Sequence, residues 1–256
     1  KDDPLSRKLG EPLWPEWFNS DHFDKFRSNP RTWSALFQQK PRPSEGAEFQ
    51  LSWVQRFKVA PPRLNKIILV DPSSGRNKDS GDYTCMWVVG LAPDGNAYPI
   101  DAIRDRLNLT ERVDALMGLH RKHKPLEVRY EEYGLQADIE AVQNAQEHQQ
   151  YRFKITKVGG RVSKEDRIRR LIPWFQNGKL YLPSLLPYQD TQGEMHDLVK
   201  EFLEKEYVAF PVSRTDDMLD SLARLAEPEL KLPFPQEEKP RRHGATYGAK
   251  DKGLGL

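Results

Sequence analysis

The chain has a single cysteine, Cys85, in 256 residues. An internal disulfide is therefore excluded, and so sparing a use of cysteine fits a reducing compartment. No run approaches the roughly 20 apolar residues needed to cross a bilayer, and the polar opening from Lys1 shows no charged-then-apolar leader pattern. Neither sign of charge dominates: 40 Lys and Arg stand against 38 Asp and Glu, a formal net charge of +2. That balance gives no global argument for nucleic acid, so a basic groove would have to come from uneven distribution. A Gly-x-x-x-x-Gly-Lys-Ser/Thr phosphate loop is lacking, and no ATP hydrolysis is expected of this chain. Opening on Lys1 rather than Met, it reads as a piece of something longer.

With 37% hydrophobic and 30% charged residues, the chain can build one large domain under a heavily charged surface. Residues 1–65 are rich in Pro, Trp and charge without sustained period. They read as a linker, with a short helix running into the extended Pro41-Arg42-Pro43. From residue 66 the pattern sharpens. Lys66-Ile67-Ile68-Leu69-Val70 is the continuous apolar run of a buried strand, ended by the turn cluster Asp71-Pro72-Ser73-Ser74-Gly75. Strands are expected at 83–91 and 97–103, joined by a hairpin turn at Pro93-Asp94-Gly95-Asn96. A helix over 110–123 capped by Thr110, a strand at 126–130, a helix over 136–149 and a short strand at 153–155 follow. Ser163 opens a helix to residue 175, which Asn177-Gly178 stops, and residues 179–182 extend again. Helices over 194–204 and 216–226 complete the pattern, the last capped by Thr215. The tail over 228–256, rich in Pro, Lys, Arg and Gly, is expected to be flexible.

Three hairpin-linked strands followed by crossover units imply an α/β domain over 66–227: a central mixed β-sheet flanked by helices on both faces, in the ribonuclease H-like order. In that order the first and fourth strands are parallel neighbours. Asp71 and Glu131 then fall at adjacent C-terminal strand ends, where open α/β sheets carry their sites, and the last helix can bring Asp216 and Asp217 to the same point. Each acid has a plainer explanation on its own: Asp71 as a turn residue, Glu131-Glu132 as a solvated strand end, Asp216-Asp217 as a favourable helix start. Together they repel one another and call for a cation. Oxygen-only ligands favour hard ions, Mg²⁺ or Mn²⁺. Two such ions would activate a water and stabilise the departing 3′ oxygen of a phosphodiester.

The ordered set Val70-Asp71-Pro72, Gly81-Asp82-Tyr83-Thr84, Tyr130-Glu131-Glu132-Tyr133-Gly134 and Asp216-Asp217-Met218-Leu219-Asp220 resembles the nuclease domain of tailed-bacteriophage terminase large subunits. The stretch from Leu36 to Gly46 resembles the linker that follows that family's ATPase domain. The resemblance implies a module that cuts concatemeric double-stranded viral DNA when packaging starts and ends. Its partners would be the portal of the procapsid and a small terminase subunit, its place the host cytoplasm, with no membrane involved. It implies Asp71, Glu131 and Asp217 as catalytic metal ligands and Asp216 as a fourth, with Asp82 and Asp220 weaker candidates. Glu132 could replace Glu131, and Asp216 could replace Asp217. The basic stretch with Arg161, Lys164 and Arg167 is a candidate DNA-backbone contact, with plain surface charge as the alternative. A junction resolvase or transposase core on the same fold, and a non-catalytic DNA- or portal-binding module, remain competing readings.

Overall fold

Alternation along the first buried strand decides how the rest of the chain is arranged. In the computed structural model, which describes residues 48–73, 83–131, 136–160, 162–228 and 230–236 together with Trp14 and Trp17, a short strand β1 (Gln55–Phe57) precedes β2 (Asn65–Asp71), β3 (Thr84–Leu91) and β4 (Ala97–Asp105). Helix α1 (Leu109–His123), β5 (Glu127–Glu131), α2 (Gln136–His148) and β6 (Ile155–Val158) follow. The central sheet has the order β4-β3-β2-β5-β6. Strands β4, β3 and β2 pair antiparallel, and β2, β5 and β6 pair parallel. This is the mixed sheet of a ribonuclease H-like α/β fold, with helices on both faces.

Because strand side chains alternate, β2 feeds two cores. Ile68 and Val70 join Val128, Tyr130 and the apolar side of α1 and α2. Ile67 and Leu69 join Trp87 and the helices that close the other face. Those are α3 (Lys164–Arg169), α4 (Ile172–Gln176), α5 (Leu198–Glu201), which continues as a π-helix over Phe202–Tyr207, and α6 (Asp217–Ala223). Two small pairings complete the fold: β1 with β7 (Tyr181–Pro183), and a hairpin of β8 (Pro187–Gln189) with β9 (Met195–Asp197).

Several boundaries differ from the sequence expectation for local reasons. Helix α1 is capped by Asn108 in a reciprocal box with Glu111, two residues ahead of the expected Thr110. The helix expected through residue 175 breaks in two at Arg170 and Leu171, since Pro173 has no N–H to continue the ladder. The expected helix over 194–204 is instead strand β9, α5 and the π-turned segment. The strand expected at 153–155 lies at β6, where it pairs with β5. Gly95 (φ 77°) in the hairpin turn and Gly178 (φ 60°) after α4 take the left-handed backbone that their expected roles require.

The segments flanking 66–227 contribute where they are described. Phe49, 1% exposed, packs among Phe175, Tyr207 and Phe210, and Leu232 and Phe234 pack against the same core. Residues 1–47, apart from the stacked Trp14 and Trp17, and 237–256 lie outside the described residues. Among the described residues no helix is long and apolar enough to cross a membrane.

Candidate metal centre

The parity that sends Ile67 and Leu69 to the α6 face sends Asp71 there as well. On β5, Val128 and Tyr130 face α1 and α2, so Glu131 faces α6. The parallel register pairs Val70 with Tyr130 and leaves Asp71 beside Glu131 at the strand ends. Helix α6 lies over β2 and β3: Ser221 Oγ donates to the carbonyls of Leu69 and Cys85 at 3.4 and 3.2 Å, and Trp87 Nε1 donates to the Met218 carbonyl at 3.0 Å. Leu219 and Leu222 are fully buried beneath it, each worth about 1.5–3 kcal/mol.

So anchored, α6 delivers Asp220 to the strand ends. One carboxylate oxygen from each of Asp71, Glu131 and Asp220 lies within 4.8 Å of the others. Asp217 is not in that triad; it sits one turn earlier on α6, 3.9 Å from Arg104. Asp216, the residue before the helix, binds Lys164 at 2.6 Å. Asp82, Glu132 and Arg161 lie outside the described residues.

Two of the three cations expected on a DNA-facing surface, Lys164 and Arg167, are drawn into this cluster. Arg167 is buried and holds Asp220 with two hydrogen bonds, Nε to Oδ1 at 2.5 Å and Nη2 to Oδ2 at 2.6 Å. Lys164 keeps a 41% exposed side chain and lies 3.6 Å from Asp220 as well as against Asp216. Arg224, one turn beyond Asp220 and 1% exposed, brings Nη2 to 2.5 Å from Glu131 Oε1. That contact is close in distance but misaligned as a hydrogen bond, so Arg224 Nε and Nη2 find no hydrogen-bond partner among the described residues. The side chains that surround the acids follow from tertiary packing, and only Lys164 and Arg167 carried a sequence signal, as part of a basic run.

Acid still exceeds base at the centre. Burial pushes the half-buried Asp71 carboxyl well above the usual carboxylate range, the charges of Glu131, Asp220 and Asp217 push it further, and Lys164 only partly offsets them. Burial disfavours the charge on Lys164, yet its bond to Asp216 and the charges of Asp216, Asp220 and Asp71 raise its pKa on balance. Glu131 Oε2 is buried with no hydrogen-bond partner among the described residues. An orphaned carboxylate oxygen, beside an acid that the protein struggles to ionise, is what a hard divalent cation would satisfy. The donor set is all oxygen, and the residues fit such an ion.

No family model matches the sequence, and no curated protein matches it. Solved structures do. The human cytomegalovirus terminase nuclease domain, soaked in Mn with an inhibitor bound, aligns over 71% of this chain and 96% of its own at 14% identity, with a TM-score of 0.51. The fold is that of a terminase nuclease domain. The large terminase nuclease of thermophilic phage G20c covers 71% of this chain and 97% of its own at 18% identity and a TM-score of 0.47, and a form of it has magnesium bound. The nuclease domain of Thermus phage P74-26 covers 73% and 97% at 15% identity and a TM-score of 0.43.

One further buried carboxylate lies beside α6 that is not among the sequence candidates. Glu206, in the π-turned segment and 1% exposed, has its carboxyl pushed up to about 7 by burial, with its bond to the Leu219 backbone and Arg104 opposing. An acid among Phe202, Leu203 and Tyr207 is the only hint the sequence carried, since a buried carboxylate needs partners. Arg104 lies between Glu206 (3.7 Å), Asp217 and Glu201 (3.5 Å), and stacks on Tyr83 at 3.8 Å.

Proposed function

We propose that this chain is the metal-dependent endonuclease module of a viral DNA-packaging terminase, cutting concatemeric double-stranded viral DNA by hydrolysis of phosphodiester bonds. The observation that carries the reading is the Asp71–Glu131–Asp220 triad with its orphaned Glu131 oxygen, set at the parallel strand ends of a fold shared with a terminase nuclease domain. Asp71, Glu131 and Asp220 would hold Mg²⁺ or Mn²⁺. Asp217 and Asp216, on the same helix start, are the acids available for a second ion. A bound divalent cation supplies acidity to a water and charge stabilisation to the departing 3′ oxygen.

The protein's own groups supply position and charge. Asp71 and Glu131 are held by β2 and β5 in a shared ladder, which resists their mutual repulsion. Arg167 fixes both oxygens of Asp220, and Arg224 restrains Glu131 from the buried side. Lys164 is the cation of the cluster that reaches solvent, and in this reading it meets the DNA backbone. No protein nucleophile is required. Within the whole motor, partners would be the portal of the procapsid and a small terminase subunit, acting in the host cytoplasm.

The test is plasmid digestion in Mn²⁺, comparing the chain with Asp71→Ala. The expected result is nicking and linearisation by the parent and only background by the variant. Equal cutting by both, or none by either, would falsify the assignment of Asp71. Strong preference for four-way junctions over linear duplex would move the chain to another nuclease class of the same fold.

A further inference from the structure

We propose that Glu206 is a positioning residue, which caps the acid-bearing helix α6 from a separate element and so holds Asp220 at the metal centre. The inference rests on the metal reading above and names a residue that reading does not use.

The first N–H groups of any helix have no partner within it. The residue before the helix usually supplies one, its side chain accepting from the second or third helical N–H. Asp216 occupies that place and makes no such bond; its carboxylate goes to Lys164. Glu206 does the work instead, one oxygen accepting from Met218 N at 2.9 Å and Leu219 N at 3.0 Å. These are the second and third N–H groups of α6. Its other oxygen lies 3.5 Å from Thr215 Oγ1 and 3.7 Å from Arg104 Nε.

The arrangement is costly, because a carboxylate is buried where an Asp at the helix start would suffice. It also uses a π-turned backbone over Phe202–Tyr207, an uncommon conformation that recurs at functional sites. What it gains is division of labour. With the helix capped from elsewhere, Asp216 can turn to Lys164, and Asp217 can face Arg104. Asp220, one turn on, is held in register with Asp71 and Glu131. Trp87 pins the same turn from the sheet through the Met218 carbonyl.

The experiment is Mn²⁺ titration of the chain and of Glu206→Ala and Glu206→Gln. Groups that orient metal ligands from behind typically change affinity by about 10–100-fold when removed. Glu206→Ala is expected to weaken Mn²⁺ binding about tenfold or more. Glu206→Gln keeps an acceptor oxygen at the same reach and should restore most of it. A purely structural role would lower the melting temperature and leave the affinity of the folded chain unchanged, and that result would overturn the proposal. If Glu206→Ala does not fold, Glu206→Asp retains the charge but withdraws the oxygens by one methylene, and unchanged affinity there is equally contrary. Amide exchange in the parent chain gives a reading independent of any variant. Met218 and Leu219 N–H should be protected without metal, and exchange at the rate of exposed amides would refute the cap. Failure of the parent to bind Mn²⁺ would overturn the metal reading itself, and the amide result separates the two.

Discussion

On the α1–α2 face of the sheet, Arg112 donates to both oxygens of Asp138 at 2.7 and 2.9 Å, and the Tyr130 hydroxyl adds a third bond at 2.8 Å. On the α6 face, Asp71, Glu131 and Asp220 crowd within 4.8 Å, and one buried oxygen has no hydrogen-bond partner among the described residues. Tyr130 and Glu131 are consecutive residues of β5, pointing to opposite faces. Both clusters are buried and ionic, yet only the first is balanced and saturated. Burial of charge is therefore a poor guide to function on its own. Imbalance that neighbouring side chains leave uncorrected is the better one.

The largest effect should come from the balanced face. Asp138→Ala leaves Arg112 buried without its partner and is expected to cost about 3–5 kcal/mol in urea unfolding. Mn²⁺ affinity of the fraction that stays folded should not change. The acid-rich face should respond with the opposite sign. Asp71→Asn removes a charge from a like-charged cluster, and metal-free stability should rise by about 0.5–2 kcal/mol, while the stabilisation conferred by Mn²⁺ disappears. If both substitutions destabilised the chain alike, the contrast between the faces would not hold.

A pH series sharpens the same point. The Glu206 carboxyl has its pKa raised from 4.5 to about 7, and Asp71 is raised in the same sense. Between those values the folded chain keeps a proton that the unfolded chain has lost. Stability contributed by this proton is present at low pH and is lost as pH rises through about 7. In a chelator, the urea midpoint should thus fall from pH 5 towards pH 8, and Asp71→Asn should flatten the slope. Adding Mn²⁺ should stabilise the chain more at the upper end, because ligands must be deprotonated to bind. A rising midpoint in the chelator would contradict the charge imbalance. The smallest effect is that of Lys164→Ala. Its partly exposed ion pairs are worth about 0–1 kcal/mol, but DNA binding should weaken and its salt dependence should drop by about one ion's worth.

Much of this was legible before the fold was known. Asp71 and Glu131 end apolar runs, and the order of strands makes those ends neighbours. The last carboxylate was harder to read. Consecutive acids at a helix start draw the eye to Asp216 and Asp217, and each step along a helix turns a side chain by about 100°. Asp220 lies inside the buried stretch from Met218 to Ala223, and an acid there must have partners, which is the signal that was available. The partners themselves were not legible. Arg167 and Arg224 reach the centre, and Glu206 the start of α6, through packing between elements distant in sequence, and the π-turn that aims Glu206 looks like ordinary helix in a residue pattern. Arg167 belonged to a basic run that suggested a surface, whereas packing turned it inward to Asp220.

The most direct test of the central claim is anomalous scattering from a crystal of the chain soaked in Mn²⁺. The account predicts a peak within bonding distance of the Asp71 carboxylate, shared with Glu131 and Asp220. No peak at a saturating concentration, or one bound only by residues outside this triad, would contradict it.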